Sequence, residues 1–191
     1  MSNILEETKH FVVELLSKEL NEDYLYHNLR HTQRVVKSTK ELLNANSLDA
    51  QENEAIELAA WLHDTGYTKG NEKHEERSCT IAKEFLSKAG YDSKMTEKVC
   101  ECIMATARFA EPTSIQEKII RDADASHFAQ KSYLETSELL REELNLLDIA
   151  DYTQKDWIET NIKMFRTEHR YYTEDAKENW QPKKDKNLRK L

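Results

Sequence analysis

The chain has 191 residues, a formal net charge of −8, and only 3 Gly and 2 Pro. This length allows a sizeable buried core, while the scarcity of turn residues disfavours an all-β fold. The negative charge argues against a general nucleic-acid-binding surface.

The N-terminal segment MSNILEETKHFVVELLSKEL is amphipathic and acidic, unlike a signal peptide. No apolar run in the sequence approaches the roughly 18 residues that a membrane span needs. The three cysteines, Cys79, Cys100 and Cys102, match neither a zinc site nor a disulfide framework in their spacing. We therefore expect free thiols in a cytoplasmic protein.

Helical spacing of apolar residues runs through nearly every segment, and no segment alternates long enough to predict a strand. The predicted helices span about 4–20, 29–43, 49–63, 72–88, 93–107, from 114 onward, 131–147 and 153–171, with a short one before Pro182. Capping boxes are predicted at Asp49 and Ser114. We predict an all-α, compact helical bundle in a single domain over 1–191. Its metal-site core spans about 24–130, followed by a C-terminal helical extension over about 131–191.

Four polar residues fall on or beside helix faces whose spacing predicts burial: His31, His63, Asp64 and Asp124. Each has an ordinary alternative, since a core histidine can be satisfied by one hydrogen bond and Asp124 alone can cap a neighbouring helix. Together they are costly to bury unless something binds their charge. We predict that they hold one divalent metal ion, with Mn, Fe, Ni, Co, Zn and Mg as the candidates.

The strings YHNLRHTQRVV, AAWLHDTGY, HEERSCTIA and RDADASHF occur in this order over about residues 24–130. Together they resemble the H…HD…D signature of the HD-domain phosphohydrolase superfamily, and most of all its small bacterial predicted metal-dependent phosphohydrolases. The resemblance implies a helical HD fold, a divalent metal held by the four residues above, and hydrolysis of a phosphoester or phosphoanhydride.

The string Tyr26-His27-Asn28, followed by His31, is similar to the YHN-x-x-H string of cyclic-nucleotide phosphodiesterases, which have a related fold. There the first histidine protonates the leaving oxygen, so the resemblance makes His27 a general-acid candidate. Residues four apart on a helix share a face, and histidine titrates near neutral pH. The alternative is an exposed residue at the start of a helix.

The segment KGNEKHEERS contains the other candidate residues. His74 and Glu75 match the HE-x-x-S string of the superfamily. Glu75 would orient or deprotonate the attacking water, and His74 would bind substrate, assist the leaving group or bind a second metal. Lys69 and Arg77 would offer positive charge to a substrate phosphate. The alternative for all four residues is a charged helix surface.

Nuclearity is predicted from a departure from the family pattern. Two-metal members of the superfamily carry another histidine in the helix before the final aspartate. Here that helix reads CECIMATARF, with Thr106 roughly where the histidine is expected. A second ion would lack a ligand, so we expect one.

The leading hypothesis is a phosphohydrolase that uses metal-activated water on a small phosphorylated substrate, with a nucleotide among the candidates. One alternative is a non-catalytic nucleotide-binding or regulatory HD module. Another is a purely structural helical protein whose polar core is satisfied. We expect no nucleic-acid or membrane partner, and a monomer or homodimer.

Overall fold

The computed structural model describes residues 3–191, which contain ten α-helices and no β-strand. The helices are α1 (Asn3–Glu19), α2 (Leu29–Ala45), α3 (Ala50–Leu62), α4 (His74–Lys88), α5 (Ser93–Met104), α6 (Ile115–Asp124), α7 (Tyr133–Leu146), α8 (Gln154–Lys163), α9 (Glu174–Asn179) and α10 (Gln181–Leu188). The all-α prediction is confirmed. Within the described range, no helix combines the length and apolar character of a membrane span.

Side-chain caps begin several helices where the sequence predicts them. Asp49 accepts a hydrogen bond from the Glu52 amide at 2.8 Å, and Ser114 accepts one from the Glu117 amide at 3.2 Å. In both pairs the glutamate carboxylate accepts a hydrogen bond from the backbone amide of the capping residue, which completes the two predicted capping boxes. Asn28 caps α2 in a similar way. These caps satisfy amides that a helix leaves free at its start.

Helix α3 is the central element, because it packs against α1, α2, α5 and α6. Its buried residues are Ala55, Ile56, Leu58, Ala59, Ala60, Trp61 and Leu62. A helix that is covered on most sides needs apolar residues around most of its circumference. The His63-Asp64 pair therefore follows directly on the most enclosed helix of the bundle.

The C-terminal helices join the same core through α9. Trp180 is one of the buried residues of the main apolar cluster. The carboxylate of Asp122, in α6, accepts hydrogen bonds from the Tyr172 amide at 2.9 Å and from the Thr173 amide at 2.8 Å. Burial raises the pKa of Asp122 to about 6, even though these donors lower it. Asp122, which lies two residues before Asp124 in α6, thereby anchors the start of α9.

The chain after α8 differs from the sequence prediction. The helix expected to reach Tyr171 ends at Lys163 and passes into a π-helical turn over Met164–Glu168. Two short helices follow instead of one. Helix α9 precedes Pro182 as predicted, and Pro182 itself lies in the first turn of the additional helix α10. Proline fits this position because the first helical amides have no intrahelical acceptor.

Gly66 lies in the 3₁₀ turn after α3 and packs directly against the start of α4. A Cβ atom on Gly66 would lie 2.0 Å from the carbonyl oxygen of His74 and 2.9 Å from the amide nitrogen of Ser78. The Gly66 amide also donates to the Ser78 hydroxyl at 2.8 Å. Helix α4 can approach the end of α3 this closely because residue 66 has no side chain.

Gly66→Ala should destabilise the protein by about 3 kcal/mol, because the new methyl group meets backbone atoms that cannot rotate away. Chemical denaturation measures the free energy of unfolding. Gly90→Ala is the control: Gly90 has a φ of +72° with nothing within 4 Å of an added Cβ. It should lose only about 1 kcal/mol, from the left-handed backbone. Equal losses in the two variants would contradict the close packing of Gly66.

Candidate metal centre

The four predicted metal ligands come from three helices that meet at one point. His31 lies in the first turn of α2, His63 and Asp64 follow the last turn of α3, and Asp124 ends α6. His31 and His63 are each 1 % exposed, whereas the Asp124 side chain is 28 % exposed. Asp124 is thus less buried than its apolar stripe predicts, because α6 ends there.

The ligand atoms of His31, His63 and Asp124 all lie within 4.8 Å of one another. The Nε2 atoms of the two histidines are 3.3 Å apart, and Asp64 Oδ2 is 3.2 Å from each of them. Asp124 Oδ1 is 3.1 Å from His31 Nε2 and 3.7 Å from His63 Nε2. Ligands that surround one ion at roughly 2.1 Å and at right angles lie about 3 Å apart. The observed spacing is close to this value.

The buried oxygen Asp64 Oδ2 has no hydrogen-bond partner, although two imidazole nitrogens lie 3.2 Å away. The nitrogens approach this oxygen without forming hydrogen bonds to it. A buried carboxylate oxygen without a partner is costly, so this atom needs a cation. The residues present therefore fit a divalent ion, which would be held by His31, His63, Asp64 and Asp124.

The pKa shifts of Asp64 and His63 indicate the same need for positive charge. Burial opposes the ionised form of Asp64, but His63 and His31 hold the pKa of its carboxyl well below the usual range. Burial likewise lowers the pKa of His63, yet Asp64 and Asp124 raise it to about 9. The two carboxylates thus stabilise positive charge at this point, which either protons on the imidazoles or a metal ion can supply.

The outer nitrogens of the two histidines have different partners. His63 Nδ1 lies 3.0 Å from the carbonyl oxygen of Ala60, an arrangement that turns Nε2 toward the cluster as metal-binding histidines require. His31 Nδ1 lies 2.7 Å from the guanidinium of Arg34, which can only donate. A neutral His31 in this contact carries its proton on Nε2. Metal binding through that atom requires the proton to leave and Arg34 to release Nδ1.

His27 precedes α2, because Asn28 is its N-cap, so the expectation that His27 and His31 share a helix face is wrong. The two rings are nevertheless 5.6 Å apart between centroids. The buried carboxylate of Glu143, in α7, accepts hydrogen bonds from the His27 amide at 2.9 Å and from the imidazole Nδ1. Burial lowers the pKa of His27, but Glu143 raises it above its ordinary value. Nε2 is then the nitrogen that can give a proton to a ligand.

Tyr67 connects the remaining candidate residues. Its ring stacks between those of His27 and His74, with centroid distances of 4.5 Å and 4.0 Å. His74 Nε2 is 3.9 Å from Asp64 Oδ1, and His74 Nδ1 is 3.4 Å from Glu75 Oε2. The structure thus places His74 beside Asp64 and His27 beside His31, and it connects Glu75 to this group through His74.

The sequence matches the family model described as HD domain over residues 28–129. The chain belongs to the HD-domain family. HD domains are generally metal-dependent phosphohydrolases. Neither the search of curated proteins nor the search of solved structures gave a significant match.

The two predicted substrate-binding cations of the HD domain make other contacts. Lys69 Nζ lies 2.6 Å from a carboxylate oxygen of Glu19, and both side chains are largely exposed. Arg77 donates to the carbonyl oxygens of Lys69 at 2.8 Å and Gly70 at 2.9 Å. Arg77 therefore closes the loop before α4. Substrate binding by either residue stays a prediction.

Two residues that contact the candidate site, Glu143 and Arg34, were not predicted from the sequence. Glu143 carried a usable signal, because it interrupts a run of leucines in LLREELNLL and lies four residues before Leu147. A charged group at an otherwise apolar position of a helix is a candidate for a buried ion pair. Arg34 carried no comparable signal, since it stands among other polar residues of α2.

We expect this HD domain to bind one divalent ion per chain. Asp64→Asn and His63→Gln should each lower the metal affinity by more than about 100-fold, because each removes a ligand. Calorimetric titration with Mn²⁺ or Ni²⁺ measures the affinity, and elemental analysis gives the stoichiometry. His10→Gln changes an exposed histidine of α1 and serves as the control.

Unchanged affinity in Asp64→Asn would contradict the predicted ligand set. Two ions per chain at saturation would contradict the single-ion prediction and would reassign His74 from substrate contact to metal ligand.

Proposed function

We propose that this HD-domain protein is a metal-dependent phosphohydrolase acting on a small phosphorylated substrate. It cleaves a phosphoester or phosphoanhydride bond, and a nucleotide is among the candidate substrates. The observation that carries the proposal is that ligand atoms of His31, His63 and Asp124 lie within 4.8 Å of one another, while the buried Oδ2 of Asp64 lies 3.2 Å from both imidazoles without a hydrogen-bond partner. When bound there, a divalent ion polarises a phosphoryl oxygen and lowers the pKa of a coordinated water.

Glu75 orients the attacking water or takes its proton. Its side chain is 16 % exposed in the first turn of α4, within 3.4 Å of His74. Burial lowers the pKa of His74, more than Asp64 and Glu75 raise it. His74 is therefore neutral near pH 7. A neutral imidazole can donate one hydrogen bond to a phosphoryl oxygen and adds no second positive charge beside the metal.

His27 protonates the leaving oxygen. Its contact with Glu143 supports this role, because the buried carboxylate fixes the ring through Nδ1 and stabilises the protonated form. Glu143 is 1 % exposed and holds the backbone of Tyr26 and His27 as well. Glu143 is thus a positioning residue, which acts on the reaction through His27.

We further propose that the protein works in the cytoplasm, as a monomer or homodimer, without a nucleic-acid or membrane partner. The net charge of −8 supports the absence of a general nucleic-acid surface. The three free thiols are compatible with a reducing compartment.

A phosphate-release screen tests the proposal. Nucleotides, sugar phosphates and inorganic pyrophosphate are each supplied with Mn²⁺, Mg²⁺, Ni²⁺ or Co²⁺, and Asp64→Asn is run in parallel to detect a contaminating phosphatase. Phosphate release that depends on the metal and is lost in Asp64→Asn supports a hydrolase. Tight metal and nucleotide binding without any release would favour the non-catalytic module instead.

On the best substrate of the screen, Glu75→Gln should lower kcat by about 100- to 10,000-fold, the usual contribution of a general base. Metal affinity should stay within a few-fold of the wild type, because Glu75 is outside the predicted ligand set. Glu76→Gln is the matched control, since Glu76 is the exposed neighbour in the same helical turn. Full activity in Glu75→Gln would contradict the catalytic role of Glu75 and would indicate an ordinary surface residue.

Glu143→Gln should lower kcat by about 100-fold on an alkyl phosphoester, because an alkoxide leaving group needs a proton from His27. The loss should be much smaller on a 4-nitrophenyl phosphoester, whose leaving group departs unprotonated. Glutamine keeps an oxygen that accepts the two backbone amides, so the local fold is retained. Glu142→Gln, at the exposed neighbouring position, is the control. Equal losses on both substrates would show that Glu143 has only a structural role.

A further inference from the structure

Two cysteines face each other where α4 crosses α5. The sulfur of Cys79 lies 3.5 Å from the carbonyl oxygen of Cys100, and the sulfur of Cys100 lies 3.8 Å from the carbonyl oxygen of Cys79. Because the contacts are reciprocal, both side chains occupy the same narrow gap between the helices. Both thiols are free.

A cation lies beside this pair. Lys83, one helical turn after Cys79, forms a salt bridge of 2.9 Å with Glu97 of α5. The positive charge of Lys83 beside both thiols favours the thiolate form that thiol–disulfide exchange requires.

Solvent reaches this part of the α4–α5 interface. Cys79 is partly exposed, and the Lys83 and Glu97 side chains above the pair are 48 % and 62 % exposed. Cys102 provides the contrast within the same helix. It is 2 % exposed in the main core, and burial raises the pKa of its thiol to about 12. Cys100 is itself 6 % exposed, so a reagent reaches the pair through Cys79, and Cys102 is the most buried of the three cysteines.

We propose that Cys79 and Cys100 form a reversible disulfide between α4 and α5 by exchange with a low-molecular-weight disulfide. Cys79, the more accessible thiol, loses its proton and attacks one sulfur of the reagent, and the first small thiolate leaves. Cys100 then loses its proton, attacks the Cys79 sulfur of the mixed disulfide and displaces the second small thiolate. The protein gives up two electrons and two protons, and the reagent is reduced to two thiols.

The bridge would join α5 to the helix that begins with His74 and Glu75. Its formation does not depend on the proposed hydrolase activity, because the reaction involves only the two thiols and the reagent. A chemical readout therefore tests this proposal separately from the proposed function.

The test incubates folded wild-type protein with graded ratios of oxidised to reduced glutathione, followed by alkylation and peptide mapping by mass spectrometry. We expect the Cys79 and Cys100 peptides to be linked with the loss of two hydrogen atoms, while Cys102 is alkylated. Excess reduced glutathione should reverse the link. Cys102→Ser should form the same bridge and is the control.

Single variants separate the two roles. Cys100→Ser should stop at a stable mixed disulfide on Cys79, and Cys79→Ser should react about tenfold more slowly at Cys100, because that sulfur is less accessible to the reagent. Three alkylated cysteines in the wild type, a bridge that includes Cys102, or a wild type that stops at a mixed disulfide would each overturn the proposal. Peptide mapping of the wild-type protein tests the proposal even if a variant fails to fold.

Discussion

The arrangement of this HD domain depends on one ionised carboxylate, Asp64, at the end of the most enclosed helix. Burial opposes its charge, but His63 and His31 lie beside it and hold the pKa of its carboxyl well below the usual range, so Asp64 stays ionised. Removing one partner of such a buried group typically costs about 3–5 kcal/mol, because the other charge is left uncompensated. The relative positions of α2, α3 and α6 are therefore tied to the charge balance at a single point.

Helix α6 shows how neighbouring carboxylates can serve different purposes. Asp122 is fully buried and takes its hydrogen bonds from the Tyr172 and Thr173 backbone, so its role is to anchor α9. Asp124 is partly exposed at the helix end and approaches His31 at 3.1 Å. The more deeply buried aspartate is thus the structural one, and the more accessible aspartate is placed where a ligand can reach it.

Local signals in the sequence were sufficient for most of the fold. Periodicity and capping residues gave the helical class, the starts of α3 and α6, and the burial of His31 and His63. The pairing of His27 with Glu143 was not predictable, because the two residues are 116 positions apart and no local pattern connects them. The same limit applies to the contacts of Arg77 with the carbonyl oxygens of Lys69 and Gly70, and its substrate binding stays a prediction.

The range of the family match divides the candidate site into two parts. All four predicted metal ligands lie within residues 28–129, whereas His27 precedes this range and Glu143 follows it. The predicted metal centre therefore belongs to the part of the chain that defines the family, and its geometry follows from three helix ends. The proposed acid requires α7, which returns from beyond residue 129 to hold the segment before α2. The predicted metal centre and the proposed proton donor are thus held by different helices, so a change in α7 would affect the accepted leaving groups more than metal binding.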